Sequence, residues 1–93
     1  MAGTHLSLVL KGEWYDKIRA GTKTVEYRED KPYWRARITN AIETVSFRRG
    51  YGSDYPLLQA DVISIIKQPG LHCDLKHNGK VFAIIFNNVR EAE

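Results

Sequence analysis

Two stretches in the second half of the chain, LLQADVISII (57–66) and KVFAIIFNNV (80–89), are nearly continuous in apolar residues. A strand that is apolar on both faces must be covered on both, or must bulge and curve so that its halves turn different faces inward. In either case a flat sheet with open edges is excluded, because apolar edges recruit other chains. Between the two runs, KQPGLHCDLKHNGK carries Pro69, Gly70 and an HNGK turn signal, so it reads as a loop. A chain of 93 residues has core enough for one domain, and these two runs are its longest strand candidates.

The remaining elements are shorter. HLSLVL (5–10) alternates and reads as a buried strand. KGEWYDKIRAG (11–21) reads as a short helix, with Glu13 and Asp16 early, Lys17 and Arg19 late, and Gly21 as a C-terminal stop. Trp14 and Ile18 stand four apart, which places them on one helical face. KTVEYRE (23–29) alternates again, KPYWRARI (31–38) reads as one or two helical turns after Pro32, and TVSFRRG (44–50) is a third strand closed by the turn-rich GYGSDYP. Five or six strands with one or two short helices predict an α+β domain built as a small β-barrel, closed or nearly closed so that its edges are removed.

Composition narrows the setting. The charge is +3, from 14 Lys/Arg and 11 Asp/Glu, and the basic excess lies in residues 1–49. That imbalance permits phosphate contact without requiring it. The single Cys73 excludes an intrachain disulfide and suits a reducing cytoplasm. No apolar run approaches the roughly 20 residues that span a bilayer, and MAGTHLSLVLKGEW reads as a first strand rather than a leader. No membrane partner and no cofactor are expected.

The stretch GTKTVEYRED (21–30) concentrates charge inside an alternating pattern. Strict alternation puts Thr24, Glu26 and Arg28 on one face and Lys23, Val25 and Tyr27 on the other, with Val25 and Tyr27 as the core side. Glu26 and Arg28 are then same-face neighbours, and an exposed pair of this kind contributes under about 1 kcal/mol. Lys23 joins them only if the chain bends at Gly21–Thr22. If all three meet in a partly buried cleft, Glu26 is a base toward water or a ribose hydroxyl, Lys23 stabilises an oxyanion, and Arg28 binds a phosphate or base carbonyl. Otherwise they tie the helix–strand junction together.

Gly21-x-Lys23-x-x-Glu26-x-Arg28, preceded by LSLVLKGEWYDKIRA, resembles the signature of the ASCH domain family. The resemblance is densest over residues 6–28 and architectural beyond them. It implies a PUA-like pseudo-barrel whose motif residues gather in a cleft, and a partner that is RNA or a modified nucleoside. Members of that family include N4-acetylcytidine amidohydrolases, ribonucleases and non-catalytic nucleic-acid-binding modules. The amidohydrolase branch has a threonine at the position of Glu26 and uses a later glutamate; this chain has none between Glu43 and Glu91.

Further candidates extend the surface. FRRGYGSDY (47–55) interleaves Arg48, Arg49, Tyr51 and Tyr55, a mixture suited to phosphates and bases, or to a solvated turn. YWRAR (33–37) adds Trp34, read as core, with Arg35 and Arg37. Of the adjacent Trp14 and Tyr15, one faces the core; with Trp14 there, Tyr15 lines the cleft. HCDLKH (72–77) holds His72, Cys73, Asp74 and His77, but lacks the two spaced pairs of a zinc site and reads as an ordinary loop. His5 reads as structural.

Overall fold

The computed structural model describes residues 4–51, 54–70 and 79–92. In chain order the elements are β1 (His5–Leu10), α1 (Gly12–Arg19), β2 (Val25–Glu29), α2 (Pro32–Arg35), β3 (Thr44–Arg49), β4 (Leu57–Pro69) and β5 (Lys80–Ala92). The strands form one sheet in the order β1-β3-β4-β5-β2, with β1 parallel to β3 and the other neighbours antiparallel.

β4 and β5 are each 13 residues long and pair along most of their length. Of the two explanations for their apolar runs, the bulged one holds. Register shifts fall at Gln59/Asp61 and Val62/Ser64, and Asn88 takes a positive φ of 56° opposite them. Asparagine tolerates that conformation because its short side chain bonds locally; here its amide donates to Asp61 Oδ2 at 2.9 Å. That bond, with Arg90 beside it, holds the Asp61 carboxyl below the usual range. Each bulge increases twist, so the sheet curls into a half-barrel. Leu58 and Ala60 are buried inside the curl, whereas Ile63, within the second bulge, and Ile66, past it, are 58% and 46% exposed.

The core fills the concave side. Leu6, Leu8 and Leu10 of β1, Val45 and Phe47 of β3, and Phe82, Ile84 and Phe86 of β5 meet there, with the Phe47 and Phe86 rings 4.9 Å apart. Helix α1 contributes Tyr15 and Ile18, both fully buried. The expected Trp14–Ile18 face is therefore displaced by one residue: Tyr15 enters the core and Trp14 is half-buried at its margin. The Tyr15 hydroxyl can be buried because it donates to the Pro56 carbonyl; burial pushes its pKa up.

The two edge strands, β1 and β2, flank a seam rather than pairing with each other. Arg28 bridges it, donating from Nη2 to the Val9 carbonyl of β1 at 3.3 Å and from Nη1 to its neighbour Tyr27's carbonyl at 2.7 Å. The approach to β2 is set by the end of α1. Gly21 has φ +83°, its N–H bonds the Ile18 carbonyl, and the Thr22 N–H reaches back to Lys17 at 3.0 Å. These two bonds are the Schellman pattern. The Lys23 N–H also bonds the Lys17 carbonyl, at 3.2 Å, so the chain is still turning when it reaches the lysine.

A Cβ at Gly21 would meet nothing within 4 Å, so its substitution acts through the backbone alone. Gly21→Ala is expected to lower stability by roughly 1–2 kcal/mol, and Gly21→Asn by less. Urea unfolding that shows no loss for Gly21→Ala would contradict this account of the turn.

Candidate functional site

The turn after α1 delivers Lys23 to the strand residues that follow it. Its ammonium lies 3.7 Å from Glu26 Oε1, and Arg28 Nη1 lies 3.4 Å from Glu26 Oε2. Lys23 and Glu26 are 8% and 4% exposed. The three residues converge. Burying charge is tolerated only with partners, and each charge has them. The Lys23 ammonium is 5.0 Å from the Trp14 ring centre and 5.3 Å from that of Tyr27, distances at which the ring quadrupole attracts a cation. Glu26 Oε1 accepts the Tyr27 N–H at 3.1 Å. The Arg28 guanidinium stands 5.4 Å from the Trp34 ring.

One polar atom is left over. Glu26 Oε2 is buried and accepts no hydrogen bond among the described residues. Leaving a buried acceptor unsatisfied costs about 1–3 kcal/mol, and such atoms cluster where a ligand or water completes the set. Glu26 and Arg28 line a cleft of about 330 Å³ together with Val9, Leu10, Lys11, Glu13 and Trp14. That volume is at the low end of the ~300–1,000 Å³ range of small-molecule sites, so it suits one nucleoside-sized group rather than a length of polymer.

The expected faces of β2 are reversed. Glu26 pairs with Ile84 and Arg28 with Phe82, both in the main core, while Val25 and Tyr27 lie opposite Ile85 and Ala83 and are half-buried. The reason is the seam. At an edge strand the concave face meets the cleft as well as the core, so the charged residues turn inward and pair.

No protein-family model and no curated protein matches the sequence. Among solved structures, the fold is similar to that of a ZmASCH mutant protein from Zymomonas mobilis. The TM-score is 0.67 at 14% identity, over 95% of this chain and 71% of that one. The fold is ASCH-like. The likeness carries architecture alone at that identity, and the site of this ASCH-like domain rests on its own residues.

The other candidates divide. Tyr15, expected in the cleft, is core, and the adjacent Trp14 lines the cleft instead. Arg49 is engaged: its Nε and Nη2 donate to Asp16 at 3.1 and 3.3 Å, and its guanidinium lies 4.3 Å from the Tyr55 ring. Those contacts make it a tie between β3 and α1. Arg48 is exposed and registers with the cleft residue Val9, and Tyr51 is 90% exposed, so both remain open to a partner. Trp34 is half-buried against the core, as expected. His5 bonds Thr44 Oγ1 at 2.7 Å and Ser46 Oγ at 3.1 Å, tying β1 to β3. His72, Cys73, Asp74 and His77 lie outside the described residues; among those described, no group of three His, Cys, Asp or Glu is placed to hold a metal. No helix among them is long and apolar enough to cross a membrane.

Sequence reasoning gave Glu13 only as an early acidic residue of α1 and gave Lys11 no role, although both line the cleft. Lys11 occupies the N-cap of α1 and supplies no side-chain cap, a position where Ser, Thr, Asp or Asn is favoured. That mismatch was the available signal.

If Glu26 is the common partner of two buried cations, an apolar replacement leaves them uncompensated. Glu26→Leu is expected to cost about 3–5 kcal/mol. A Glu26→Leu protein that unfolds at the wild-type urea concentration would show that the trio is not held as described.

Proposed function

We propose that this ASCH-type domain acts on a modified nucleoside or on RNA, taking one base into the cleft and hydrolysing a bond beside Glu26. The observation that carries the reading is the buried Glu26 carboxylate, its Oε2 without a hydrogen-bond donor, at a cleft walled by Trp14. A nucleoside amide gives the simplest chemistry. Glu26 takes a proton from water, the hydroxide adds to the amide carbonyl carbon, and Arg28 stabilises the oxyanion. The C–N bond then breaks, the proton passes to the leaving amine, and a carboxylic acid and the free base amine result. Lys23 lies against Glu26 rather than lining the cleft, so its charge acts through the carboxylate it positions. On RNA, the same base would deprotonate a ribose hydroxyl. The lone Cys73 favours a cytoplasmic setting.

A second reading, a non-catalytic RNA-binding module, is favoured by one feature. Arg28 is bonded to two backbone carbonyls, which makes it a fixed recognition group rather than a mobile one. Arg48 and Tyr51 would extend such a surface, with affinity that falls as salt rises.

Glu26→Gln separates the two. It keeps shape and one acceptor but removes the proton acceptor. With N4-acetylcytidine and a mixed single-stranded RNA as substrates, the hydrolase reading expects slow turnover that falls at least ~100-fold in Glu26→Gln, with binding retained. Lys23→Met keeps the aliphatic stem and is expected to lower turnover as well. Turnover untouched by Glu26→Gln overturns the assignment of the site. Binding of either ligand without turnover by folded protein favours the binding module.

A further inference from the structure

Lys11 lines the cleft and is exposed, yet it forms no ion pair among the described residues. Arg28, the other cation lining the cleft, is already ion-paired with Glu26 and hydrogen-bonded to two carbonyls. Lys11 also opens α1. Its own carbonyl accepts the Trp14 and Tyr15 N–H groups at 3.1 Å, while no side chain caps the helix. The Gly12 and Glu13 N–H groups therefore stand without an acceptor among the described residues. The Arg49 guanidinium packs directly over Gly12, so close that a Cβ there would come within 2.5 Å of its Nη2. The Lys11 ammonium, the Glu13 N–H and the positive end of a helix dipole thus meet where Lys11 and Glu13 line the cleft. They are joined by an independent sign of a ligand, the nine-tenths-buried Glu26 with its unsatisfied oxygen in the same cleft.

We propose that the ligand carries a phosphate: a nucleotide, or a nucleotide unit of RNA, with its phosphate held by Lys11 and the N-terminal N–H groups of α1. This rests on the nucleoside reading of the cleft and makes it narrower. The base lies toward Trp14 and Glu26, and the phosphate lies toward Lys11 and the start of α1, where charge-assisted bonds from an ammonium and helix N–H groups are strongest. Glu13, which also lines the cleft, opposes the anion and limits its affinity. Gly12, having no Cβ, leaves room for the Arg49 guanidinium.

The test is a titration followed by Trp fluorescence, with cytidine, its 5′- and 3′-monophosphates and inorganic phosphate as probes. At least one monophosphate is expected to bind roughly tenfold or more tightly than cytidine, the increment of one charged hydrogen bond. Lys11→Ala should erase that increment, Lys11→Arg should restore most of it, and Glu13→Gln should enlarge it. Equal binding of cytidine and both monophosphates overturns the proposal, as does a Lys11→Ala loss of the same size for cytidine. If neither nucleoside nor nucleotide binds, the nucleoside reading itself fails and this inference falls with it.

Discussion

The buried contact of Glu26 with Lys23 and Arg28 is the interaction on which the rest of this structure depends. The half-barrel has two unpaired edges, and nothing in its backbone ladder joins β1 to β2. Arg28 does so with its side chain, reaching the Val9 carbonyl while it faces Glu26. Glu26 in turn allows Lys23 to be buried beside Trp14 and Tyr27, which fixes the end of α1 against β2. Remove the carboxylate and the helix junction and the seam both lose the charge that balances them. A hydrophobic trio of similar volume could pack as well or better. Charge at this place is thus poorly explained by stability, and the cleft that opens beside it supplies the alternative reason.

The curl of the sheet follows from a second constraint. β4 is too apolar to stand alone and too long to be covered throughout, and its bulges divide it. The proximal half joins β3 in the core, while the distal half is carried by β5 alone. Val62 to Pro69 lacks a β3 partner in the ladder, and the strand's late residues include Lys67 and Pro69, which discourage edge-to-edge pairing. The same curl brings the edge strands near enough for one arginine to span them.

Much of this was legible in the sequence, and the misses have physical causes. The strands at 5–10, 44–50, 57–66 and 80–89 follow from apolar patterning, and the break at Gly21 follows from helix-stop chemistry. The meeting of Lys23 with Glu26 was conditional on a bend, and the backbone bonds to Lys17 provide it. Two readings failed for a shared reason. Periodicity shows which residues share a face, but not which face the fold covers. On β2 the charged face turned inward because pairing made burial tolerable. On α1, Tyr15 took the core place that Trp14 was given because its hydroxyl found the Pro56 carbonyl, a partner 41 residues away. The ion pair of Arg49 with Asp16 was not legible, because it depends on the β1–α1–β3 packing and on nothing local in the sequence.

On the proposed reading, ligand enters the cleft between β1, α1 and β2. A two-dimensional amide NMR titration with cytidine 5′-monophosphate tests it most directly, because every relevant N–H reports its own position. The account expects the largest shifts at the Val9, Lys11, Gly12 and Glu13 amides and at the Trp14 indole, with smaller ones on β2. Saturable shifts confined to Arg48–Tyr51, with the Val9–Trp14 signals unmoved, would contradict it.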